Sequence, residues 1–125
     1  MNTRVRTHLI EVSRKKGIIG YQELCNACGL KLDMRNSPHD RGEIGNILGE
    51  ISAYEYKNKR PLLSAVVLSK SGDEGDGFFK LCEELGITGD WRRLKKDDVF
   101  VVNEINKCHE FWGDAGNYGK YKSVD

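Results

Sequence analysis

Neither sign of charge dominates this 125-residue chain: 20 Lys and Arg stand against 19 Asp and Glu, a formal balance of +1. No global basic surface advertises nucleic acid and no acidic excess repels it, so only local clusters inform on partners. Long apolar runs are absent as well. Nothing approaches the roughly 20 residues that cross a bilayer, and the basic start leads into an amphipathic segment instead of a signal-peptide stretch, so no membrane role and a cytoplasmic location are expected. Cysteine is sparse. Cys25, Cys28, Cys82 and Cys108 are too few for a secreted disulfide scaffold of this length and are expected as reduced thiols. What is present, 38% hydrophobic and 31% charged residues, suffices for one compact core, and one domain over residues 1–112 with a flexible tail at 113–125 is the expected organisation.

Helical periodicity opens the chain. Val5, Leu9 and Val12 recur at i, i+4 and i+7 between Thr3 and Lys16, Gly17 follows as a stop, and Arg4, Arg6, Arg14, Lys15 and Lys16 occupy the other, solvated faces. Ile18 and Ile19 read as a brief strand, and Tyr21 to Cys28 as a short helix ended by Gly29, with Leu24, Cys25 and Cys28 on its buried side. Turn-forming Asp33, Asn36, Ser37 and Pro38 then lead into the clearest helix, where Ile44, Ile47, Leu48, Ile51 and Tyr54 share a face. Gly42, Gly45 and Gly49 line another edge at a cost of about 1 kcal/mol each relative to alanine, which points to a closely packed neighbouring helix. Pro61 ends that segment. Leu62 to Leu68 reads as a buried strand, Ser71 to Gly77 as a turn, and Phe78–Phe79 either as a second strand or as the start of a helix through Leu81, Cys82 and Leu85. Trp91 falls in a connector, and Asp97 or Asp98 caps a last helix that places Val101, Val102, Ile105, Cys108, His109 and Trp112 together.

Four motifs carry chemistry elsewhere and have plainer explanations here. The Cys25/Cys28 pair lacks a second well-spaced ligand pair for zinc and falls inside a helix, not at its start, so core packing is its expected role. Glu55-Tyr56-Lys57 spells the end of a nuclease metal site, with Asp33 or Asp40 as conceivable partners, but it lies on a helix where such sites need strands. Cys108 and His109 are helix neighbours pointing about 100° apart, which rules out a nucleophile–base pair. The glycines between Gly72 and Gly77 lack the lysine and hydroxyl of a phosphate loop. No enzyme activity, cofactor or metal is expected.

The element order (helix, short strand, helix, longer helix, strand, glycine-rich turn) is that of a winged helix. Ile18-Ile19-Gly20-Tyr21-Gln22-Glu23-Leu24 resembles the strand and tyrosine-bearing turn that open the helix-turn-helix of alkyltransferase-like proteins, relatives of the DNA alkylguanine repair enzymes. Pro38 followed by Ile44 and Gly45 resembles the start of that family's recognition helix, and Pro61-Leu62-Leu63-Ser64-Ala65-Val66-Val67 with Gly72 its active-site strand. The likeness spans roughly residues 17 to 77. It implies a mixed α/β (α+β), winged-helix-like fold with flanking terminal helices, and Tyr21 as a phosphate contact. The nucleophilic cysteine and its Pro-Cys-His-Arg surroundings are replaced by Ser64, Ala65 and Val66, so alkyl transfer is not implied. Near the position of the duplex-inserting arginine stand Gly42 and Arg41. Separately, Arg60 to Phe79 resembles a small domain scattered through bacterial and phage genomes, which implies no activity.

These readings converge on a non-enzymatic module for DNA or RNA. The expected contacts are Tyr21, Arg35, Asn36, His39, Arg41, Lys57, Lys59 and Arg60, grouped around a helix start whose N–H groups attract phosphate. Glu43 and Glu50, on the exposed side of the same helix, oppose it. The rival expectation is a phage or mobile-element accessory that binds a host protein through exposed Tyr118 and Tyr121, and a homodimer is left open. A small-molecule site along the Gly42, Gly45 and Gly49 edge ranks third.

Overall fold

The computed structural model describes residues 1–124. It is mostly helical, with seven α-helices and one two-stranded sheet among the described residues. In chain order these are α1 (Thr3–Arg14), β1 (Ile19–Gly20), α2 (Tyr21–Ala27), α3 (Pro38–Lys57), a 3-10 turn (Leu63–Val66), β2 (Val67–Leu68), α4 (Asp76–Glu84), α5 (Trp91–Lys95), α6 (Asp98–Gly113) and α7 (Ala115–Tyr121). The mixed α+β class holds.

Local chemistry sets the helix starts. The Asn2 side chain accepts the Val5 N–H at 3.0 Å ahead of α1, and Ser37 Oγ accepts the Asp40 N–H at 3.1 Å ahead of α3, each satisfying a donor that the first turn leaves free. Pro38 occupies the first turn of α3, where its missing N–H costs nothing. Asp97 caps α6 by accepting the Val99 N–H at 3.0 Å.

The segment Leu62–Leu68 is as buried as its composition predicts, yet most of it is not a strand. Among the described residues no strand runs beside Leu62–Val66, so its backbone finds other partners. The Leu62 N–H donates to the Glu104 carboxylate at 2.9 Å, the Ser64 N–H to Ser52 Oγ at 3.0 Å, and Cys108 Sγ–H to the Leu62 carbonyl at 3.2 Å. Buried donors and acceptors must be paired, and here side chains pair them. Only Val67 and Leu68 join a sheet, pairing in parallel with Ile19 and Gly20. Phe78 and Phe79 lie within α4 and form no returning strand. Trp91 begins α5 and is no connector.

Two hydrophobic clusters meet at this central segment. Val5, Leu9, Ile10, Leu24, Cys25, Ile44, Leu48, Ile51 and Trp112 belong to the larger one. Leu62, Ala65, Phe78, Phe79 and Cys82 form the smaller, and Ile105 of α6 packs against both.

Beyond Gly113 the expected loose tail is instead the helix α7, capped by Asp114, whose carboxylate accepts the Asn117 N–H at 2.9 Å. Tyr118 and Tyr121, expected as exposed partner-binding aromatics, are half-buried against the larger cluster. The Tyr118 hydroxyl donates to Glu11 at 2.6 Å, and the Tyr121 ring stacks on Phe111 with centroids 5.8 Å apart.

Arg6 was expected on a solvated face of α1, but only 1% of it is exposed. Its guanidinium donates to Glu55 at 2.7 Å and to the carbonyls of Tyr121 at 2.8 Å and Lys122 at 2.9 Å. Glu55 receives Arg60 as well, at 2.7 Å. One carboxylate therefore ties together α1, α3 and the segment after α3.

Candidate functional site

The glycine edge of α3 has no packed neighbour. A Cβ at Gly42, Gly45 or Gly49 would meet nothing within 4 Å beyond the helix itself, which corrects the expectation of an abutting helix. These positions open onto a groove of about 1590 Å³ bounded by α3 and the loop before it, the start of α2, the turn after β2 and α4. The parallel strands end at its edge, since Gly20 runs directly into Tyr21 and Leu68 into Ser69 and Lys70.

Four of the expected contacts come together at the amino end of α3. Arg35, Asn36, His39 and Arg41 are all exposed. The loop that presents them is closed by its own hydrogen bonds. Asp33 accepts the N–H groups of Arg35 and Asn36 at 3.0 Å each, while Asp40 accepts the Asp33 N–H at 2.8 Å. Both carboxyls are held below the usual aspartate range, Asp33 chiefly by the Asn36 N–H and Asp40 chiefly by the Asp33 N–H. Arg41 closes the loop from the helix side by donating to the Met34 carbonyl at 2.9 Å. Across the groove stand Lys70 and Lys80. Among the described residues none of Arg35, Arg41, Lys70 and Lys80 is in an ion pair.

The other four expected contacts are placed elsewhere. Tyr21 lies in the groove wall, half-buried, turned towards the Glu74–Gly75 turn: a Cβ on Gly75 would stand 3.6 Å from its hydroxyl. Burial first, and the neighbouring Glu74 second, push its phenol upward. Lys57 and Lys59 are exposed but lie at the far end of α3, about 24 Å from Arg41 at 1.5 Å per residue. Arg60 is committed to Glu55, its side chain 8% exposed and set between the rings of Tyr54 and Tyr121 at 5.3 and 5.2 Å. The expected set therefore divides, with Arg35, Asn36, His39 and Arg41 together at the amino end of α3.

Sequence reasoning missed Glu74. It is 6% exposed, it contributes to the groove wall, and neither of its oxygens has a hydrogen-bond partner. Burial alone pushes its carboxyl up to about 9, so it is neutral at pH 7. A glutamate in a polar, glycine-rich turn carries no sequence mark of burial. Ser64, also in the wall, shares a hydrogen bond with Ser52 at 2.7 Å and fastens the 3-10 turn to α3.

The cysteines are core residues. Burial raises the Cys25 and Cys28 thiols, pushes Cys82 up to about 12, and lifts Cys108 well above its ordinary value. Such thiols are poor nucleophiles and poor metal ligands. His109 Nε2–H donates a hydrogen bond at 2.9 Å to the Gly17 carbonyl at the core boundary. Comparison with protein-family models, with curated proteins and with solved structures finds no match to this chain.

Proposed function

We propose that this chain is a non-enzymatic nucleic-acid-binding domain that receives a phosphate backbone at the amino end of α3. The observation that carries the reading is the exposure of that end together with its free cations. Arg35 and Arg41 flank a helix start whose positive dipole end attracts phosphate. Lys70 and Lys80 add charge from the opposite side of the groove. Gly42 and Gly45 remove the side chains that would hold a sugar–phosphate strand away from the helix. In this reading α2 and α3 are the two helices of a winged-helix-like helix-turn-helix, and the turn at residues 69–75 stands where a hairpin wing would project. Glu50 and Glu84 also border the groove and confine phosphate to its Arg41 end.

Fluorescence anisotropy with labelled duplex and single-stranded oligonucleotides, read across a salt series, tests this. Affinity is expected to fall as salt rises, with a log–log slope that loses about one unit in Arg41→Ala and again in Lys70→Ala, each phosphate contact releasing about one counterion. Lys57→Ala and Lys59→Ala should leave the slope alone. Absence of binding at low salt, or equal effects from both ends of α3, would overturn the reading.

A further inference from the structure

Among the described residues three glutamates are buried: Glu55, Glu74 and Glu104. The fold supplies partners to two of them. Glu55 is held by the guanidinium groups of Arg6 and Arg60, each at 2.7 Å. Glu104 accepts the Leu62 N–H at 2.9 Å and has the Lys107 ammonium 3.6 Å away. Glu74 has neither kind of partner, and both of its oxygens are closed to water. Leaving a buried carboxyl unpaired is costly, and a native structure that does so calls for a reason.

The surroundings supply one. Glu74 belongs to the wall of the same groove as the bare backbone of Gly45 and Gly49, and Leu48, Phe78 and Leu81 give that groove apolar sides. We propose that the groove binds a small molecule bearing a guanidinium or amidinium group, whose N–H fork pairs with the Glu74 carboxyl while its flat body lies over Gly45 and Gly49. The chemistry copies what the protein already does internally at Glu55. A planar fork matches a carboxylate in two-point geometry, and a planar cation is more weakly hydrated than an ammonium, so it enters an apolar groove at lower cost. Both Glu74 oxygens are closed to water in the free chain, so pairing with the ligand requires a change of the Glu74 rotamer.

Charge balance fixes a signature. The neutral carboxyl gives up its proton to solvent as the cation seats, leaving an ion pair and one released proton. The groups that feel Glu74 from neighbouring elements are Tyr21 of α2, Cys82 of α4 and Cys108 of α6. All three are shifted upward and keep their protons between pH 7 and 9. The rim cations leave no mark on Glu74, whose shift arises from burial alone. This inference shares Gly45 with the nucleic-acid reading but does not rest on it, because its contacts are Glu74 and the Gly49 shelf.

Benzamidine, with neutral benzamide of the same shape as its control, is the probe. Titrated into the isotope-labelled full chain, benzamidine is expected to shift the amide signals of Gly45, Gly49 and Gly75 saturably. Calorimetry in two buffers at pH 7 should show about one proton released, and affinity should rise about tenfold per pH unit between pH 7 and 9. Glu74→Gln should weaken binding at least about tenfold, the equivalent of about 1.4 kcal/mol. If Glu74→Gln does not fold, Gly49→Leu fills the shelf with Glu74 intact and must abolish the shifts. No saturable shift, benzamide binding as tightly as benzamidine, or indifference to both substitutions would each overturn the proposal.

Discussion

Arg6 and Glu74 show how far a single residue can depart from what its type suggests. The first is a cation drawn into the core because Glu55 and two helix-end carbonyls give each of its three nitrogens an acceptor. Removing one member of such a buried set strands the others, so Arg6→Ala and Glu55→Ala are each expected to cost about 3–5 kcal/mol in urea unfolding. Glu74 has the opposite problem. Its folded-state pKa of about 9 lies above the ordinary 4.5, so between those values the native chain holds a proton that the unfolded chain has lost. Stability contributed by the protonated form is full below pH 4.5 and falls as pH rises towards 9, by up to about 1.4 kcal/mol per unit. Glu74→Gln should therefore leave the melting temperature unchanged near pH 4 and raise it at pH 8. An unchanged difference across that range would refute the assignment. Neither role was legible beforehand. Periodicity reports which face of a helix is apolar, and says nothing of a charged side chain that finds its partner 49 or 116 residues away.

At the scale of elements, the strongly periodic helices were legible and the short apolar run was not. α1, α3 and α6 follow from their i, i+3 and i+4 patterns because one face of each packs against the central segment. Leu62–Leu68 announced its burial through composition, but its conformation was settled by Glu104, Ser52 and Cys108, which lie far from it in sequence and offered its backbone something other than a neighbouring strand. The α3 glycines were legible as a feature and misread in consequence, since side-chain-free positions mark close approach without saying by what. With open space above them, Gly42→Ala and Gly45→Ala should each stabilise the protein by about 0.5–1 kcal/mol in thermal or urea melts. The same substitutions should weaken oligonucleotide binding if the bare helix backbone is what phosphate approaches.

For the molecule as a whole, the candidate site was half visible in the sequence. Arg35, Asn36, His39 and Arg41 were found because turn chemistry and a proline-led helix start place them together. Lys57, Lys59 and Arg60 were grouped with them although a 20-residue helix holds the two sets apart. α7 was mistaken for a loose tail because glycine, lysine and tyrosine lack helical periodicity, whereas docking against α1 supplies what propensity does not. Truncation after Gly113 is accordingly expected to destabilise the protein by several kcal/mol, on the order of a lost buried ion-pair set, with a lower urea midpoint as the readout. A truncated chain as stable as the intact one would show that α7 contributes nothing. The reach of Arg6 to the carbonyls of Tyr121 and Lys122 makes α1 and α7 depend on one another: α1 acquires its last buried acceptors only when α7 has docked, so the two helices are expected to gain hydrogen-exchange protection together on refolding.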